Sequence, residues 1–107
     1  MKIGINGSGM VQKASVQAIT DHAATAEAQG FAHYWLAEHP TGGLDALTTL
    51  ALVGQTVTTM ELGTAIVPTF PRHPMTLAGQ SLTVADAVGE RLTLCIGLSH
   101  APMLAQL

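Results

Sequence analysis

Glu38-His39 is the adjacent pair in this sequence best suited to chemistry. An imidazole moves a proton or hydrogen-bonds a substrate oxygen near neutral pH, and a neighbouring carboxylate can tune it. The competing interpretation is a strand-end pair facing solvent. Pro40 favours a fixed geometry slightly, because the residue before a proline is held extended. Arg72-His73 is a second candidate, since a guanidinium suits an anionic group; a solvated loop arginine is an equal alternative. His100 is a third. Gly7-Ser8-Gly9 has the glycine content of a turn whose amides approach a phosphate. The dinucleotide fingerprint is incomplete, however: Gln12 stands at its third glycine position, and Glu38 lies further on than the usual ~20 residues. His39, His73 and His100 come from separate loops without local ligand spacing, so no metal site is expected. His22 and His33 fall within a predicted helix and strand and read as structural. Cys95 reads as a small buried hydrophobe rather than a nucleophile.

These residues need elements to position them. Lys2–Asn6, Phe31–Leu36, Glu61–Val67 and Leu92–Leu98 are apolar runs closed by Gly, Pro or polar residues, and each predicts a strand. Between them lie three helical patterns. Residues 15 to 29 set Val16, Ile19, Ala23 and Ala26 at helical spacing, with Gly30 suited to the C′ position. Asp45 is an N-cap candidate before Leu47, Leu50, Ala51 and Val57. Pro74 suits a first helical turn ahead of Leu77, Val84, Ala85 and Val88. One βα unit thus recurs about every 30 residues, the scale of a βαβ unit. Repeated βα alternation predicts an α/β fold with a parallel sheet and right-handed crossovers. Parallel strands place their C-terminal ends on one side, where α/β proteins bind ligands. Asn6-Gly7-Ser8, Glu38-His39, Ala65 to Thr69 with Arg72-His73, and Gly97 to His100 meet there.

Composition narrows the function classes. The chain has 107 residues, 48% hydrophobic and 10% charged, with 4 Lys+Arg against 7 Asp+Glu and a formal net charge of −3. That composition excludes intrinsic disorder and speaks against nucleic-acid binding, which needs a clustered basic surface. No stretch approaches the ~20 apolar residues of a membrane-spanning helix. The start is too short in apolar residues for a secretory leader, and one cysteine supplies no disulfide framework. A cytoplasmic location is the expectation.

Several segments together resemble a known family. Tyr34-Trp35-Leu36-Ala37-Glu38-His39 closes the second strand, and Leu62-Gly63-Thr64-Ala65-Ile66-Val67-Pro68-Thr69 forms the third. Arg72-His73-Pro74 leads into a helix, and Arg91-Leu92-Thr93-Leu94-Cys95-Ile96-Gly97-Leu98-Ser99-His100 follows in order. In this combination the chain resembles the bacterial luciferase-like monooxygenase superfamily, especially its deazaflavin (coenzyme F-420)-dependent oxidoreductases. The resemblance implies a (β/α)8 TIM-type barrel, of which residues 1–107 would be the N-terminal half-barrel, the first four strands. It implies FMN or coenzyme F-420 lying across the C-terminal face, and hydride transfer between the ring and a small organic substrate. By the same resemblance His39 is the catalytic proton-transfer or oxyanion-stabilising group, with Glu38 or His100 assisting. Thr64, Ala65, Ile66 and Gly97 are its cofactor-side residues, and a non-prolyl cis peptide is implied at Ala65-Ile66. Alcohol-dehydrogenase-type members often carry a carboxylate near the position of His100; the histidine here leaves the substrate open.

A complete barrel typically needs about 250 residues, and its phosphate site commonly comes from the loops after strands seven and eight. The expectation is therefore a homo-oligomer or a missing C-terminal half that covers the open edges. Two alternatives remain: a non-catalytic, dimerising half-barrel remnant or binding module, and a small Rossmann-like nucleotide binder using Gly7-Ser8-Gly9 and Glu38.

Overall fold

A computed structural model describes residues 1–8, 15–39 and 42–98. His100 and the Gly9, Gln12 and Pro40 positions lie outside the described residues. Within them the chain alternates strand and helix: β1 (Gly4–Asn6), α1 (Val16–Ala28), β2 (His33–Leu36), α2 (Ala46–Val53), β3 (Glu61–Thr64), β4 (Val67–Pro68), α3 (Pro74–Ala87), β5 (Leu92–Thr93) and β6 (Ile96–Gly97).

The main sheet is parallel and its order is β1-β2-β3-β5. This sequential order is that of a barrel wall. A doubly wound sheet reverses direction at a switch point beside its first strand, and none occurs here. The chain is thus the first half of a (β/α)8-type architecture, as predicted.

Local signals set the helices. Ser15 caps α1 by accepting the Ala18 amide at 3.1 Å, and Gly30 follows its end with φ of 91°. Asp45 caps α2 through the Thr48 amide at 2.8 Å. Pro74 occupies the first turn of α3, where its missing N–H costs nothing.

The predicted third and fourth strands are each divided. Glu61–Val67 breaks into β3 and β4 around a cis peptide between Ala65 and Ile66, and Leu92–Leu98 breaks into β5 and β6. At the break the Thr64 hydroxyl stands in for the backbone ladder. It accepts from the Cys95 amide and donates to the Cys95 carbonyl, both at 2.8 Å. Beyond the break, β4 pairs with β6 in a short parallel ladder of its own.

Alternation in β2 separates the two faces of the sheet. Tyr34 and Leu36 are buried with Ile19, Ala23, Leu47, Leu50, Val53, Leu62 and Val84, forming the core between sheet and helices. His33 and Trp35 occupy the opposite face, their rings stacked at 6.1 Å. Trp35 lies over Gly63 on the neighbouring strand, where a Cβ would strike the indole. Both outer strands end on apolar residues in solvent: Ile3 beside β1, and Leu94, Ile96 and Leu98 along β5 and β6. Cys95, in the break between β5 and β6, is half-buried rather than buried. No helix among the described residues is long and apolar enough to cross a membrane.

Candidate functional site

The C-terminal ends of the strands are joined by a row of hydrogen bonds. Ser8 Oγ, after β1, accepts from the Ala37 amide at 2.8 Å. The Ala65 amide donates to the Leu36 carbonyl at 2.7 Å, and the Glu38 amide donates to the Ile66 carbonyl at 2.9 Å. Val67 then donates to Cys95, and Thr69 to Gly97, both at 3.0 Å. Three neighbouring chain passes are thereby fixed relative to one another around Ala37 to His39, Ala65-Ile66 and Cys95 to Gly97.

The sequence-predicted residues divide sharply within this frame. His39 is half-buried at the end of the second pass, two residues beyond the Ala37 anchor. Ala65 is exposed on the next pass, displaying only a methyl group. Ile66 packs its side chain against Gly97, and a Cβ at Gly97 would collide with that side chain. The structure brings Ile66 and Gly97 together for an internal reason: the glycine makes room for the isoleucine. Thr64 is fully buried with its hydroxyl committed to Cys95, so it builds the frame next to Ala65.

Glu38 is tied into the frame through its side chain. Its carboxylate lies in a bidentate pair with Arg72, Nη1 to Oε2 at 2.5 Å and Nη2 to Oε1 at 2.7 Å. Oε1 also accepts the Ala46 amide at 3.1 Å. Two parallel bonds to one guanidinium fix the position of the carboxylate, which suits a structural anchor. Arg72, which the sequence offers as an anion binder or a solvated loop residue, binds anionic groups of its own chain. Its Nη2 also reaches Asp45, and its Nε donates to Gln80 Oε1 at 3.0 Å. Gln80 in turn donates to the other Asp45 oxygen at 2.9 Å, closing a ring of partners. The Glu38 hydrogen bond raises the Arg72 pKa most, against the opposing effect of burial, with the Glu38 and Asp45 charges adding to it. Burial alone would raise the Asp45 carboxyl, but the Thr48 hydrogen bonds and the Arg72 charge hold it below its ordinary value.

The other candidates take structural places. His73 caps α3, accepting the Met75 amide on Nδ1 at 3.1 Å. His22 Nδ1 pairs with the Tyr34 hydroxyl at 2.8 Å, and His33 stacks on Trp35. Gly7 donates its amide to the Trp35 carbonyl and Ser8 donates to Asn6 Oδ1, so neither described amide of that turn is aimed at a ligand. Together with the sequential strand order, this gives the Rossmann-like alternative no support among the described residues. No group of three His, Cys, Asp or Glu converges among the described residues.

Ala65 is exposed and presents only a methyl group at these strand ends. A phosphate finds little here. Arg72 is spent on carboxylates, and Arg91 donates to the Met60 and Gly54 carbonyls at 2.8 and 3.1 Å. Lys2 precedes β1, at the opposite end of the strands, and Lys13 lies outside the described residues.

Solved structures share this architecture. A coenzyme F420-dependent tetrahydromethanopterin reductase from Methanopyrus kandleri superposes with a TM-score of 0.85 at 21% identity, over 98% of this chain and 29% of that one. The oxygenating constituent of 3,6-diketocamphane monooxygenase from Pseudomonas putida, in complex with FMN, gives 0.85 at 16% identity, over 99% and 32%. Monooxygenase RslO1 from Streptomyces bottropensis gives 0.77 at 27% identity, over 99% and 36%. The chain thus spans about a third of the length of the structures it matches. Residues 2–105 match the luciferase-like monooxygenase family, and the chain belongs to it.

Proposed function

We propose that this chain forms the ring-side half of a flavin- or deazaflavin-dependent oxidoreductase site. The supporting observation is the convergence of half-buried His39, exposed Ala65 and the packed Ile66–Gly97 pair at adjoining strand ends. Coenzyme F-420 and FMN are both candidates, since the similar structures include an F420-dependent reductase and an FMN complex. When bound, either group supplies the hydride chemistry, and FMN can also activate oxygen. The residues of this chain orient and exchange protons. Ala65 leaves space for a planar ring, with Ile66 and Gly97 bordering it. His39 holds or moves the proton at the oxygen of a small organic substrate, or stabilises negative charge there. His100 is retained as an assisting group by resemblance alone, and Glu38 acts through its anchor to Arg72.

The cofactor's phosphate grip and the cover for Ile3, Leu94, Ile96 and Leu98 come from further strands, in a C-terminal half or a second copy. The location consistent with this reading is cytoplasmic. Titration with FMN, riboflavin and coenzyme F-420, following ring fluorescence and amide NMR shifts, tests the proposal. The expected shifts centre on His39 and Ala65, and riboflavin binds within about threefold of FMN because the phosphate adds little here, well under the ~1.4 kcal/mol of a tenfold change. Shifts centred elsewhere, or no binding of any ring, overturn it. A colourless dimer that takes up no flavin would instead favour the non-catalytic remnant, which the exposed edge residues also suit.

A further inference from the structure

Arg72 lies outside the set of residues expected to touch a ring or substrate, yet it connects more of the site than any other side chain described. Four parts of the chain meet at its guanidinium: the end of the second pass through Glu38, the cap of α2 through Asp45, the turn before α3, and α3 itself through Gln80. The Arg72 and Glu38 side chains are each 12% exposed, so the pair is largely shielded from solvent. The Glu38 backbone is held at the same time, its amide on the Ile66 carbonyl at 2.9 Å. One residue earlier, the Ala37 amide is held by Ser8. His39 is the next residue along this doubly pinned segment.

We propose that Arg72 is the positioning residue for His39, acting through Glu38 to fix where the imidazole stands relative to Ala65 and Ile66. The inference rests on the proposed role of His39 for its functional meaning, though not for its geometry. The required side chain is specific. A guanidinium presents several donors in a rigid fork and engages Glu38 bidentately, Asp45 and Gln80 at once; an ammonium is a single point charge on a flexible stem. Without the fork, Glu38 loses both of its guanidinium bonds and keeps the Ala46 amide. The segment carrying His39 then loses its link to α3.

Arg72→Lys, Arg72→Met, Glu38→Gln and the double variant Glu38→Gln/Arg72→Met are compared by urea unfolding and by the imidazole Cε1–Hε1 NMR signals. The expected result is displacement of the His39 signal beyond its linewidth in all of them, with His22 and His33 stationary. The double variant moves it no further than the larger single change, because both substitutions break one link. Stationary His39 signals alongside a lowered unfolding midpoint overturn the proposal and leave Arg72 a purely structural clamp. If Arg72→Met does not fold, Arg72→Lys and Glu38→Gln carry the same test. Flavin titration of the unsubstituted chain examines the proposed function separately, so either can fail alone.

Discussion

Thr64→Val separates shape from hydrogen bonding at the point where the third strand breaks. Valine matches threonine in outline, so the substitution removes one hydroxyl and leaves the fully buried volume filled. Two bonds of 2.8 Å disappear. Their partners fare differently. The Cys95 carbonyl keeps the Val67 amide at 3.0 Å, whereas the Cys95 amide loses the acceptor described for it. An orphaned donor costs about 1–3 kcal/mol, and a carbonyl that keeps one partner loses less. A net destabilisation of about 2 kcal/mol follows. Thr64→Ser keeps both bonds and removes one buried methyl, which costs about 1 kcal/mol. In urea, with a slope of about 1–3 kcal/mol per molar, valine lowers the midpoint by roughly 1 M and serine by about half of that. Hydrogen exchange at the Cys95 amide accelerates in the valine variant alone. Valine as stable as serine, or unchanged protection at Cys95, would refute the role assigned to the hydroxyl.

Other substitutions probe the remaining frame. Gly63→Ala forces the indole of Trp35 off its neighbour; a loss of about 1–3 kcal/mol is expected, with a red shift in the emission of this single tryptophan. Burial pushes the Tyr34 phenol up to about 12, against about 10 in the unfolded chain. Between these values the unfolded state holds fewer protons than the native one. Stability therefore falls with rising pH by up to about 1.4 kcal/mol per unit, and Tyr34→Phe removes that slope in alkaline unfolding. Asp45 has the opposite sign. Its carboxyl is held below its ordinary value, so the stability it contributes is present at neutral pH and lost as pH falls below about 4 through the native value. Asp45→Asn retains the helix cap and flattens that acid-side loss in pH-dependent unfolding.

Features settled within a few residues were legible in the sequence. Asp45, Pro74 and Gly30 mark helix ends because capping and backbone preference act locally, and the structure places each at its predicted end. The 30-residue recurrence made the parallel topology legible for the same reason. Strand continuity was not. Glu61–Val67 and Leu92–Leu98 look unbroken because every residue suits a buried strand, and the interruption depends on Thr64 meeting Cys95, 31 residues away. The position of His39 was legible because a strand end in a parallel sheet has a predictable address. The fate of Glu38 was hidden, since it depends on an arginine 34 residues later whose charge looks the same whether solvated, ligand-bound or paired. Gly97 stands out through the family resemblance, but the reason for a glycine there lies across the ladder in the Ile66 side chain.

The placement of the cations bears on which cofactor this part of the fold can distinguish. Arg72 and Arg91 are consumed in fixing the frame, and Lys2 lies at the far end of the strands. The described residues thus meet a ring more readily than a phosphate tail. FMN and coenzyme F-420 differ in both places, in the reacting ring atom and in the tail. On the proposed function, a preference exerted from this half acts at the ring, through the group beside Ala65 and the proton-handling role proposed for His39. Preference for the tail belongs to strands beyond these. The separation has a measurable form: substitutions at Ala65 should change the affinities for riboflavin and FMN by the same factor. A bulkier side chain there that weakened FMN while sparing riboflavin would place the phosphate, and not the ring, against this face.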